Sequence, residues 1–331
     1  MGKLLNFFLP SIAVSVIGLA AVFVYGGIEA LYIAALLTAL EVTLSFDNAV
    51  VNARVLKKMS ALWQKRFLTW GILVAVFGTR FILPIFIVSA TVFVSPIAIA
   101  KLALFNPAEY GHLLEGARYA INSFGAAFLL MVSLKYFLDT AKKVHWIRIV
   151  ERHLTLWGRI EAIEIALVLM TLFLLSFLVP LENQATVLAS GIVGVVTFIL
   201  MQGITSAFSM GAREVATQSV ALFLYLEVLD AAFSLDGVIG AFALTNEVLI
   251  IAVGLGIGAF FVRSLTVYMV KERTLDTLVY LEHGAHWAIF GLAASMFVSL
   301  LTEVPELITG TIGIAFVLAA YYSSLRTNAR N

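Results

Sequence analysis

The stretch Leu40–Asn52 reads LEVTLSFDNAVVN. It lies inside a long apolar run, yet it carries Glu41 and Asp47 together with Thr43, Ser45, Asn48 and Asn52. A charge at bilayer depth costs about 3 kcal/mol on insertion scales, so ionisable residues there are rare and usually functional. The pattern returns at Leu229–Ala241, LDAAFSLDGVIGA. Aligned without gaps, Glu41 falls on Asp230, Ser45 on Ser234, Asp47 on Asp236 and Asn48 on Gly237.

Composition sets the solvent. Of 331 residues, 62% are apolar and 12% charged, about half the charged share of a soluble domain. That surface requires lipid. With no cysteine there is neither a disulfide nor a thiolate metal site. Runs of about 20 apolar residues place ten spans: 7–25, 29–51, 67–94, 119–137, 160–179, 185–201, 215–242, 248–270, 285–301 and 307–322. The expected fold is all-α, one polytopic membrane domain over 1–331. Lys3 and the run through Gly18-Leu19-Ala20 resemble a signal peptide, but the apolar character continues to Tyr25, which favours a retained helix.

The basic residues test the count. Ten spans put 17 of the 21 Lys and Arg on the side of the termini, against Lys101 and Arg118 on the other. The positive-inside rule then makes both termini cytoplasmic, in a bacterial inner or plasma membrane. Arg80 and Arg263 fall within spans.

Three segments repeat in the same order. Beyond the acidic stretch, GILVAVFGTR (Gly71–Arg80) matches GLGIGAFFVR (Gly254–Arg263), and Leu113–Leu134 matches Tyr280–Leu300. The two acidic helices are the second and seventh spans, an odd number apart, so they cross the membrane in opposite directions. This predicts two inverted three-helix repeats, 29–134 and 215–301, with a site at their interface. Residues 135–214 form a basic connection and two extra helices, and 302–331 a last helix and tail. Asp139–Arg159 reads as an amphipathic helix on the cytoplasmic leaflet, or else as a solvated basic loop. The long connection Pro96–Arg118 reads as a partly structured cap.

At 100° per residue Glu41, Ser45, Asn48 and Asn52 form one stripe, with Thr38 close to it and Asp47 some 120° away. Either Asp47 faces another neighbour or the helix opens near Ser45–Asn48. The second helix offers Glu227, Asp230, Ser234 and Asp236, with Glu227 at the repeat position of Thr38. Glu41 and Asp230 lie near mid-span, while Asp47 and Asp236 lie toward opposite mouths. Five acids against Arg80 and Arg263 leave −3 if all ionise, which a divalent cation plus a proton would neutralise. Oxygen donors without thiolates suit Mg²⁺, Ca²⁺ or Mn²⁺. Arg80 is expected to pair with a path carboxylate or a backbone carbonyl, and Arg263 to snorkel toward the cytoplasmic end. Glu282, His283 and His286 offer a metal entry site or an ordinary interfacial pair.

At these residues the chain resembles the TerC family of membrane proteins, named for an association with tellurium resistance. Its motif is a Glu followed by Ser-x-Asp-Asn in one membrane helix, here Glu41, Ser45, Asp47 and Asn48, with a related motif here at Asp230, Ser234 and Asp236. Gly237 departs from the pattern where a side-chain ligand would stand. The resemblance implies Mn²⁺ export through these acids, with no organic cofactor. The expectation is therefore a secondary transporter rather than an enzyme. Its partners are a metal-ion substrate and the bilayer, with no nucleic acid, and the chain is compatible with a homo-oligomer. The alternatives are a non-transporting membrane partner that assists metal loading or secretion and, less favoured for want of a Gly-x-Gly-Asp motif, an intramembrane aspartyl protease.

Overall fold

A computed structural model describes residues 2–211, 215–302 and 304–328, without the side chains of 2–6, 208–211, 215–217, 236, 243, 306 and 307. Among these residues there is helix and no strand. Among the described residues seven helices are long and apolar enough to cross a membrane: Phe7–Leu44, Ala61–Val92, Arg118–Phe137, Leu181–Ala207, Gln218–Leu235, Val248–Lys271 and Ile308–Asn328. The chain is an all-helical integral membrane protein.

The helices pack as two compact units, 1–118 with 211–272, and 119–210 with 273–331. Each matched sequence segment divides the same way. The acidic and the Arg-bearing helices of both copies belong to the first unit, and the Gly/Ala-rich third helices to the second.

In the first unit α1 (Gly2–Leu44) reverses direction at Gly27, whose φ of 70° suits glycine. The contacts with α12 (Val248–Lys271) show the reversal. Ser11 meets Ser264 at 2.8 Å and Tyr25 meets Glu247 at 3.1 Å, so the first limb runs antiparallel to α12. Thr38 then reaches the Gly254 carbonyl at 3.0 Å and Glu41 packs on Gly258, so the second limb runs parallel to it. The first two expected spans are therefore separate limbs of a hairpin. Val22, Ala30, Ala34 and Ile250 seal it.

After Ser45 the chain continues as α2 (Phe46–Leu56). The next span is continuous over Ala61–Val92: α3 (Ala61–Leu73), a π-helical stretch Val74–Ile82, and α4 (Leu83–Val92). Pro84 has no N–H to give the Arg80 carbonyl, which favours a wider local winding. The expected cap is two short helices, α5 (Pro96–Phe105) and α6 (Pro107–Gly116), each opened by its proline. The second acidic helix is α11 (Val215–Leu244). Leu56, Met59, Phe67, Leu222, Leu226 and Val267 form an apolar cluster joining α2, α3, α11 and α12.

The second unit holds α7 (Arg118–Phe137), α8 (Arg148–Trp157), α9 (Ile163–Ser176), α10 (Leu181–Gly211), α13 (Thr274–Thr277), α14 (Leu281–Val298) and α15 (Glu306–Asn328). Here α9 and α14 coincide with two expected spans but fall outside the seven long apolar helices. Gly284 and Gly291 bring α14 against α15: a Cβ on Gly284 would lie 2.8 Å from the Phe316 carbonyl, and one on Gly291 2.6 Å from Ile312. Close packing is thus the physical role of these small residues.

Candidate functional site

The acidic stretch bends where its polar residues cluster. Ser45 leaves helical geometry at φ −103°, ψ 14°, between the end of α1 and the start of α2. The backbone bonds from Ser45 to Glu41 and from Ala49 to Ser45 survive, so the break is one residue wide. It places Asp47 in the first turn of α2, where backbone N–H groups and the helix dipole favour a carboxylate. Of the two arrangements open from sequence, the structure has the local opening.

Glu41, Ser45, Asp47, Asn48 and Asn52 are all buried, as are Glu227, Asp230 and Ser234. Thr43 turns away and donates to its own Ala39 carbonyl. The side chain of Asp236 lies outside the described residues.

Each arginine holds acids of its own sequence copy. Arg80, 2% exposed, pairs with Glu41 and with the Ala75 carbonyl, combining both expected partners. Ser45 Oγ donates to the same Glu41 oxygen at 2.9 Å. Arg263 does not snorkel. It is also 2% exposed and grips Glu227 with two parallel bonds of 3.0 and 3.2 Å. It reaches Asp230 at 3.5 Å and the Phe67 carbonyl at 3.1 Å, with its guanidinium 4.2 Å above the Phe67 ring. A bidentate carboxylate fork and an aromatic face outbid the distant aqueous edge. Sequence reasoning missed this because it measured distance to the membrane surface rather than to Glu227. It also missed Gly71 and Gly258. A Cβ at Gly71 would strike the Arg263 guanidinium, and one at Gly258 would sit 2.5 Å from Glu41.

The two acidic helices meet through reciprocal contacts. Asn48 Nδ2 donates to Asp230 Oδ1 at 2.7 Å. Gly237 faces Glu41, with a Cβ position 3.8 Å from Oε2. In the gapless alignment Asn48 matches Gly237 and Glu41 matches Asp230, so one contact is the other with the copies exchanged. A second pair behaves likewise. Thr38 meets Gly254, and Glu227 meets Gly71, again with matched positions exchanged.

Among the described residues no three His, Asp or Glu side chains converge closely enough to hold a metal. The counter-charges of Glu41, Glu227 and Asp230 are the two arginines. Five buried amide and hydroxyl oxygens among the described residues are left without a hydrogen bond. Asn48 Oδ1, Asn52 Oδ1 and Ser234 Oγ belong to the two acidic helices, and Asn122 Oδ1 and Ser123 Oγ to α7. Buried polar atoms without partners are uncommon, and their usual reasons include an absent water or ion.

The histidines have ordinary packing roles. His283 bonds Glu151 at 2.8 Å, and His286 bonds the Glu282 carbonyl while stacking on Tyr136.

A family model covers residues 46–331 of this chain. The chain belongs to the family described as protein of unknown function (DUF475). The matched region includes Asp47, Asn48, Asn52 and the whole of α11. Glu41, Ser45 and the α1 hairpin precede it. No curated protein and no solved structure matches the chain.

Proposed function

We propose that this DUF475 protein is a secondary transporter that exports a divalent metal cation, with Mn²⁺ as the first candidate and Ca²⁺ and Mg²⁺ as competitors. One observation carries the reading: two buried acid-bearing helices meet through exchanged contacts and leave three oxygens of their own without partners. The reciprocity supports an inverted repeat, since a pseudo-two-fold axis generates contacts of this kind.

Charge supports a +2 cargo. Glu41, Asp47, Glu227, Asp230 and Asp236 against Arg80 and Arg263 leave −3 if all ionise, which a divalent cation plus one proton would neutralise. Carboxylate, amide and hydroxyl oxygens are the ligand types of hard cations. Asn48, Asn52 and Ser234 would supply neutral oxygens, Asp47 and Asp230 the charge, and Asp236 a further acid from the second copy. Arg80 and Arg263 act as tethered stand-ins for the cargo: they neutralise Glu41, Glu227 and Asp230 until an ion arrives. Glu227 serves as the acid that exchanges a guanidinium for a proton or the ion. The resemblance of the motif to TerC proteins points the same way.

The test is Mn²⁺ flux in proteoliposomes made with wild type, Asp47→Asn and Asp230→Asn. Both variants should lose flux and Mn²⁺-dependent thermal stabilisation. Wild-type flux in both would refute the site. Metal-dependent stabilisation without flux in the wild type would favour a metal-loading partner instead, and no response to metal would reopen the aspartyl-protease reading.

A further inference from the structure

We propose that α8 and the connection around it form a binding surface for anionic phospholipid headgroups at the membrane edge. This inference is independent of transport and rests on the second unit alone.

The helix is pinned on one face. Glu151, fully buried, accepts from His283 at 2.8 Å, Trp287 Nε1 at 3.1 Å, Lys142 at 3.3 Å and the backbone N–H groups of Trp146 and Ile147 at 3.1 and 3.3 Å. Thr155 reaches the Phe137 carbonyl, and Gly158 lies so tightly on the Leu138 carbonyl that no Cβ would fit. Both anchors are on α14 and the end of α7, helices of the same unit. The segment is therefore held against the protein rather than loosely solvated.

Its other face has no protein cover. With Glu151 pointing inward, the helical period turns Leu156, Ile149, Trp157 and Val150 outward as one arc, with the exposed His153 among them. Ile149 is 82% exposed and Trp157 53%. Arg148 and Arg152 line one edge of this arc, and Arg159 follows it. Among the described residues Arg148, Arg152, Arg159 and Lys143 are exposed and have no ion pair. The exposed acids Asp139 and Glu161 stand at the two ends.

An apolar arc edged by unpaired arginines is the layout of a helix lying in the interface: the arc enters the acyl boundary while the guanidinium groups reach phosphates. The flanking α7 and α9 are apolar helices, so the segment is tethered within reach of the bilayer surface at both ends. Charge selects the partner. Four cations without protein counter-ions favour anionic over zwitterionic headgroups.

The chain has no cysteine, so a single introduced cysteine labels uniquely. Full-length protein carrying a fluorophore at Ile149→Cys or Leu156→Cys would be reconstituted into phosphatidylglycerol/phosphatidylcholine vesicles. Acyl-brominated lipid should quench both labels and aqueous iodide should not. Iodide quenching alone would overturn the proposal, as would shielding from both quenchers with cross-linking between copies. A second measurement compares thermal stabilisation by phosphatidylglycerol, phosphatidylcholine and inorganic phosphate in detergent. The triple variant Arg148→Gln/Arg152→Gln/Arg159→Gln should lose about 100-fold in preference for phosphatidylglycerol, about 5-fold per arginine. An unchanged preference would refute the headgroup assignment, and equal stabilisation by inorganic phosphate would refute the lipid as its source. These arginines are exposed and unpaired, so their removal leaves folding intact.

Discussion

Glu151 and the acids of α1, α2 and α11 are all buried carboxylates, but they are satisfied to different degrees. Glu151 receives five donors. Burial pushes its carboxyl up, yet the hydrogen bond and charge of His283, the Lys142 ammonium and the Trp287 N–H outweigh that and hold it down at about 2. Around the acidic helices the arginines satisfy Glu41, Glu227 and Asp230, while Asn48, Asn52 and Ser234 each keep an idle oxygen. A group whose task is structural has its partners built in. On the transport reading proposed above, the idle oxygens are ligands held in reserve, and each guanidinium stands where a bound cation would take its place.

That contrast is open to attack by substitution. The largest expected effect is flux: Asp47→Asn should lower Mn²⁺ transport by two orders of magnitude or more, read in proteoliposomes, while melting changes little, because no built-in network depends on Asp47. A comparable loss of stability would show that Asp47 belongs with Glu151. Next comes Glu151→Ala. It strands a buried imidazole, an ammonium and three N–H groups, and should cost about 3–5 kcal/mol, read as a lowered thermal midpoint that Mn²⁺ does not restore. Arg80→Ala should cost a similar ~3 kcal/mol or slightly less, since Ser45 still donates to Glu41. Here, unlike Glu151→Ala, added Mn²⁺ should recover part of the loss, because the ion takes over the duty of the missing cation. The smallest effect is Ser234→Ala. Removing an idle hydroxyl should change stability by no more than about 0.5 kcal/mol while weakening Mn²⁺ binding several-fold, read by metal titration.

Acid sharpens the comparison further. The folded Glu151 carboxyl is depressed below its ordinary value of 4.5. Its stabilisation is therefore complete above that value and disappears as the pH falls toward about 2. Release of α8, followed by a label at Ile149→Cys, should occupy this window. In Glu151→Gln the pH dependence should vanish.

Much of the architecture was legible in one dimension because lipid imposes a simple code. Apolar length located the long helices, and the doubled acidic motif located the buried acids. The break near Ser45 was one of two arrangements that a carboxylate 120° off its stripe left open. The hairpin at Gly27 falls between the first two expected spans, 7–25 and 29–51. The fate of Arg263 was not readable. Near a span end, a long cation has two outlets of similar reach, and only the placement of Glu227, Phe67 and the gap at Gly71 decides between them. The anchoring of α8 was equally hidden, since Glu151, His283 and Trp287 are far apart in sequence.

By itself, then, the sequence determined the solvent, the all-helical class and the identity of the buried acids, all of which follow from composition and period. Only the tertiary structure decided which charges neutralise one another and which oxygens stay idle. Those are properties of distances between helices, and spacing along a chain does not encode them.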